Sequence, residues 1–130
     1  MKNPLNVGIY IYFMIVAERP FLDGKVIMYL SKNSNAYVLR CFYKRIRVGY
    51  CYFDKDYNND GKIIYVDDLI VEEKYQRKGL GTMMMKYIIC LAELEGKSVN
   101  LTSTINAIQF YRTLGLRKRR DSSQMYYKPA

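Results

Sequence analysis

Between Val71 and the apolar stretch that begins at Leu80 lies Gln76-Arg77-Lys78-Gly79-Leu80-Gly81, two cations followed by two glycines with one residue between them. A strand-like run ends at Val71 and a helical period starts near Gly79, so the segment is a turn from strand into helix. The first N–H groups of a helix have no partner inside it, and the helix dipole makes that end positive. An anion placed there is stabilised. Gly79 and Gly81 have no Cβ to keep a phosphate off the main chain, and Arg77 and Lys78 add side-chain charge. The expected chemistry is the grip on a phosphorylated ligand. The spacing is neither that of a Rossmann fingerprint nor that of a Walker P-loop, and a bare loop-to-helix turn is the competing reading.

Three further residue groups could act beside such a ligand. Asp67 and Asp68 interrupt the apolar run Ile63 to Val71. One carboxylate could take a proton from an amine or attract a cation, but neighbours on a strand face opposite ways unless a bulge intervenes. Both could equally be solvated charges at a strand irregularity. Tyr111 is a phenol with an ordinary pKa of about 10, protonated at neutral pH and able to donate. It falls on the apolar face of a helical segment, where a buried aromatic is the default. Asn106, at the start of that segment, suits a ligand contact or a helix cap.

The elements that would position these groups follow from the apolar spacing. Leu5 to Val16 reads as a strand, broken by Glu18-Arg19-Pro20. Phe21 to Leu30 suits a short helix or a strand equally, and Ser31 to Asn35 is a polar turn. Ala36 to Tyr43 and Ile46 to Phe53 form a hairpin, Asp54 to Gly61 a loop, and Ile63 to Val71 the next strand. Leu80, Met84, Tyr87, Ile88, Leu91 and Leu94 then recur at helical steps, with Gly96 as a stop. Ser98 to Thr102 is a short strand and Asn106 to Leu114 a second helix, ended by Gly115. Leu116 to Arg120 and Gln124 to Lys128 close the chain as two strands. This order gives a mixed sheet flanked by helices in one domain over residues 1–130.

Composition narrows the classes. The chain has no His among 130 residues, which removes every Ser-His or Cys-His nucleophile. Cys41, Cys51 and Cys90 form no C-x-x-C pair, and a zinc site would lack ligands. They read as small buried hydrophobes in a reducing, cytoplasmic compartment. The apolar run near the N-terminus is too short to span a bilayer, so no membrane association is expected. A net charge of +9 attracts polyanions or merely keeps the protein soluble. The stretch Arg117-Lys118-Arg119-Arg120 reads as a polyanion contact or as a charged edge strand that blocks aggregation. A nucleic-acid partner is left open, with no recognition motif in its support.

Val66 to Gly81 resembles the central motif of the GNAT superfamily of N-acetyltransferases: a strand ending in an L-x-V pattern, then [QR]-x-x-G-x-[GA] opening a helix. Asn106 to Leu116 is similar to the family's second signature, N-x-x-x-x-x-Y-x-x-x-G-F, with Leu116 in place of the final Phe. Together the motifs span roughly Ile63 to Lys128. The resemblance implies an α/β (α+β) fold with a mixed, mostly antiparallel central sheet flanked by helices. Relatives place two helices between the first and second strands. Only Ala17 to Ala36 is available here, room for one modest helix or two very short ones, so the N-terminal helical region is shortened. The acceptor site is then open, or completed by a second subunit as a homodimer.

The resemblance also implies acetyl-CoA as cofactor and an amine as acceptor, with direct transfer in a ternary complex. Main-chain groups of Leu69, Ile70 and Val71 would meet the pantetheine arm and the acetyl carbonyl. Gln76, Arg77, Lys78, Gly79, Leu80, Gly81 and Thr82 would cradle the phosphates, and Asn106 would touch the arm. Tyr111 would donate to the departing sulfur. Asp67 or Asp68 would serve the amine, Asp67 being preferred because it matches the acidic position just before L-x-V in some small-amine enzymes. Other relatives carry a Glu nearer Tyr65, which this chain lacks. A CoA- or nucleic-acid-binding module of the same fold that is weak in catalysis, and a toxin that acetylates charged tRNA, are the alternatives.

Overall fold

Short alternating runs joined by polar turns pair with their neighbours in sequence, and the computed structural model, which describes residues 12–34 and 36–130, follows that rule almost throughout. The strands are β1 (Tyr12–Phe21), β2 (Gly24–Asn33), β3 (Ala36–Tyr43), β4 (Ile46–Tyr57), β5 (Ile63–Val71), β6 (Ser98–Thr102), β7 (Arg117–Lys118) and β8 (Gln124–Tyr127). They form one sheet in the order β1-β2-β3-β4-β5-β6-β8-β7. Every pairing is antiparallel except β5 with β6. A parallel pair needs a crossover, and the 16-residue helix α1 (Leu80–Glu95) supplies it. The shorter α2 (Ile108–Thr113) lies between β6 and β7.

The core lies between one face of the sheet and α1. Met28, Leu39, Phe53, Ile64 and Val66 meet Leu80, Met84, Met85, Ile88 and Ala92 of the helix. Gly49 is what lets the helix come close: a Cβ there would stand 3.2 Å from the Ile70 carbonyl oxygen and 3.2 Å from Met84 Cε. α1 ends where Gly96 takes a left-handed φ of 66°, and its N–H caps the Ala92 carbonyl.

The mixed, mostly antiparallel sheet with flanking helices is as expected. The N-terminal helical region is reduced further than expected, because residues 17–33 contain no helix: β1 and β2 form a hairpin. Glu18, Arg19 and Pro20 do not break β1 but pair with Ile27, Val26 and Lys25. Pro20 is tolerated because β1 is an edge strand among the described residues, where a missing N–H disturbs no ladder on the outer side. The expected strand portion 5–11 lies outside the described residues. Ser31 to Asn33 belong to β2 rather than to a turn, and β4 runs on to Tyr57 into the expected loop. Leu94 was expected on the buried face of α1 and is 79% exposed; Ala92 fills the inner position. Cys41 and Cys51 are buried as expected, whereas Cys90 is exposed on α1.

Candidate functional site

β5 has different neighbours along its two edges. On one side β4 accompanies it from Ile63 to Val71. On the other, pairing with β6 stops at Val66↔Leu101, so the strand runs on alone and a wedge opens. The Glu72 N–H donates to the Val48 carbonyl at 2.9 Å. In an antiparallel ladder the residues that exchange bonds alternate, so Ile70 turns its main chain to β4 while Leu69 and Val71 turn theirs into the wedge. The Ile70 side chain is exposed on the sheet face away from α1.

The turn after β5 is held from several directions. Glu73–Tyr75 form a 3-10 turn whose Tyr75 ring packs against Tyr43 at 5.8 Å and Phe21 at 6.3 Å between centroids. Gln76 Nε2 donates back to the Val71 carbonyl at 2.9 Å, closing the turn onto the strand it left. Arg77 takes a left-handed φ of 60° and Gly79 one of 89°. For Arg77 that conformation costs about 1–2 kcal/mol, whereas Gly79 adopts it freely. Gly79 is the residue preceding α1 and has no side chain with which to cap the helix N-terminus.

α2 forms the opposite wall. A 3-10 turn, Ile105–Ala107, precedes it and carries Asn106, which does not cap the helix. Phe110 reaches across to Gly81, where a Cβ would stand 3.3 Å from its ring. Tyr111 is buried. Loss of hydration, with a smaller effect of the neighbouring Cys51 thiol, pushes its hydroxyl up to about 12. Burial likewise raises the Cys51 thiol, so it is held as a neutral hydrophobe.

These walls enclose an open-sided cavity of about 450 Å³. Of the residues singled out in the sequence, it gathers Leu69, Val71, Gln76, Arg77, Gly79, Leu80, Gly81, Thr82, Asn106 and Tyr111. Ile70, Lys78, Asp67 and Asp68 are not in its lining. Tyr75, Ala107 and Phe110 line it as well. Tyr75 stands just before the glycine turn, and Ala107 and Phe110 share with Tyr111 the apolar face of the helical segment Asn106 to Leu114, so a signal existed for each.

The acidic pair sits at a bulge. Tyr52 pairs with Asp68 and Phe53 with Val66, leaving Asp67 as the extra residue. That is the irregularity that allows adjacent carboxylates to approach one region. Partial burial first, then the charges of Asp54 and Asp68, raise the Asp67 carboxyl above its ordinary value.

A family model described as "Acetyltransferase (GNAT) family" matches residues 10–116. Among solved structures, Tetrahymena GCN5 is similar with a TM-score of 0.61 and 14% identity, over 75% of this chain and 71% of that one. The PaiA N-acetyltransferase of Thermoplasma acidophilum, solved in complex with coenzyme A, gives 0.60 and 15%, over 72% and 61%. Arabidopsis thaliana Naa50, bound to the bisubstrate analogue CoA-Ac-MVNAL, gives 0.59 and 17%, over 68% of each chain. At such identities the likeness concerns the fold. No curated protein matches the chain in sequence.

Proposed function

The chain belongs to the GNAT acetyltransferase family, which uses acetyl-CoA, and on that premise we propose that it is an N-acetyltransferase moving an acetyl group to a primary amine by direct attack in a ternary complex. The acceptor is a protein amine or a small amine. The observation that carries this reading is one cavity joining the glycine turn at the head of α1, the unpaired edge of β5 and the hydroxyl-bearing residue Tyr111.

The residues present fit coenzyme A. The first main-chain groups of α1 lie in the cavity lining at Gly79 and Gly81, whose missing side chains make room for Arg19 and Phe110, and Arg77 at the cavity wall brings a positive charge to them. Leu69 and Val71 offer N–H groups along the wedge at the spacing of one strand repeat, suited to an extended amide-bearing arm. When bound, acetyl-CoA supplies a thioester whose acetyl carbon is open to an amine.

The protein's own groups then have three tasks. The wedge-facing N–H of Leu69 or Val71 donates to the carbonyl oxygen as negative charge builds there, a donor fixed before the reaction begins. Tyr111 donates its hydroxyl hydrogen to the sulfur. With a pKa of about 12, against roughly 8.5 for a thiol, it stabilises the departing sulfur by hydrogen bonding and keeps its proton. Asp67 accepts the amine proton, directly or through water; its raised pKa makes it a better base than an ordinary aspartate.

Thiol release measured with acetyl-CoA and a panel of amines, with mass spectrometry of the product, tests this reading. Acetylated amine formed in step with thiol is the expected result. Saturable CoA binding by calorimetry without transfer to any amine would leave a binding module of the same fold.

A further inference from the structure

β1 braces the glycine turn through two residues on the same face of one strand. Phe21 packs against Tyr75, as described above, and Arg19, two residues earlier, reaches the turn itself. Arg19 Nη2 donates to the Lys78 carbonyl oxygen at 3.2 Å, across 59 residues of sequence. The same nitrogen stands 2.8 Å from where a Cβ on Gly79 would lie. Gly79 is therefore required twice, for its left-handed φ and to leave room for this guanidinium. Neither Arg19 nor Lys78 lines the cavity, so the bond is made behind the cradle.

In a trans peptide the carbonyl and the following N–H point in opposite directions. Holding the Lys78 carbonyl toward β1 thus turns the Gly79 N–H the other way, away from β1. It also ties up a carbonyl whose partial negative charge would otherwise be free to swing toward an anion. We propose that Arg19 is a positioning residue for the phosphates of the cofactor, fixing the Lys78–Gly79 peptide so that the turn presents N–H groups and not a carbonyl to the pyrophosphate. This rests on the reading of the turn as the cofactor's phosphate cradle. The signature motifs do not contain the residue, because it arrives from the N-terminal hairpin.

The test compares acetyl-CoA with S-acetyl-pantetheine, which has the thioester and the amide arm but no pyrophosphate. Arg19→Met is expected to weaken CoA binding about tenfold by calorimetry and to raise KM for acetyl-CoA similarly, with kcat within twofold. KM for S-acetyl-pantetheine stays unchanged. Arg19→Lys, which keeps a cationic donor, recovers most of the loss, and it carries the test if Arg19→Met folds poorly by circular dichroism. Equal losses for both thioesters would overturn the proposal, as would unchanged CoA affinity in folded Arg19→Met. Wild-type protein that binds no CoA would instead overturn the reading of the turn, and the proposal with it.

Discussion

In the proposed reaction Tyr111 donates a hydrogen bond and keeps its proton. Its hydroxyl is held near 12, so it does not titrate across the range in which an amine is acetylated. Tyr111→Phe removes one oxygen from a buried ring and leaves the packing intact. The expected loss is about 100-fold in kcat, in the range for a single acid–base or hydrogen-bonding group, with KM for acetyl-CoA within a fewfold. Steady-state kinetics with the best amine checks this, and unchanged kcat would remove Tyr111 from the reaction. Asp67 bears on stability at neutral pH, where Tyr111 does not titrate. Its carboxyl is raised in the folded protein, so the folded state is favoured while the group is protonated, and that advantage is lost as pH rises through the folded value. At neutral pH the ionised carboxylate, beside Asp54 and Asp68, is a small liability. Asp67→Asn is expected to raise Tm by on the order of 1–2 °C at pH 7.5, as suits a mostly exposed group. The difference should vanish at pH 3, while acetyl transfer falls at least tenfold at either end of the amine panel. Melting curves at the two pH values and the same kinetics check both halves.

Among the elements, α1 and β5 define the site, and their contact is set by absent side chains. Gly49→Ala would press a methyl group against the Ile70 carbonyl and Met84, both at 3.2 Å. Overpacking of this kind costs typically about 1–3 kcal/mol, so Tm should fall by several degrees. Because the strand and helix that separate are those flanking the cavity, CoA affinity should fall as well, which calorimetry at a temperature below the melt would show. The glycine turn and α1 were legible in the sequence because their determinants are local: Gly79 and Gly96 bound a sixteen-residue helix whose inner positions recur at helical steps. Free main-chain groups on β5 were legible only through the family resemblance, since nothing in Leu69-Ile70-Val71 says that pairing with β6 stops at Leu101. The β1–β2 hairpin was not legible. Val26 to Leu30 is a short apolar run that helix and strand accommodate equally, and pairing with β3 decides it. Leu94 differs for a geometric reason: Leu80, Met84, Ile88 and Ala92 recur at four-residue steps and make the inner stripe, and two residues beyond Ala92 the helix has turned Leu94 away from it.

At the scale of the molecule, charge gathers in two local groups. The chain carries +9 overall, yet Asp54, Asp67 and Asp68 gather where β5 bulges, close enough for the first and last to raise the Asp67 carboxyl. Arg19, Lys74, Arg77 and Lys78 stand instead around the head of α1. Under the proposed reaction, with a polyanionic thioester and an amine as reactants, the basic group would draw the first and the acidic group the second. The competing account, that the excess charge serves solubility alone, makes a different prediction about salt. Screening shortens from about 10 Å at 0.1 M to about 3 Å at 1 M ionic strength. If the basic head of α1 steers the phosphates, kcat/KM for acetyl-CoA should fall roughly tenfold between 0.05 M and 0.5 M salt. The value for S-acetyl-pantetheine, which carries no phosphate charge, should move less than twofold. Parallel responses of the two thioesters would assign the salt effect to the amine or to the fold, and the net charge would then have no part in cofactor capture.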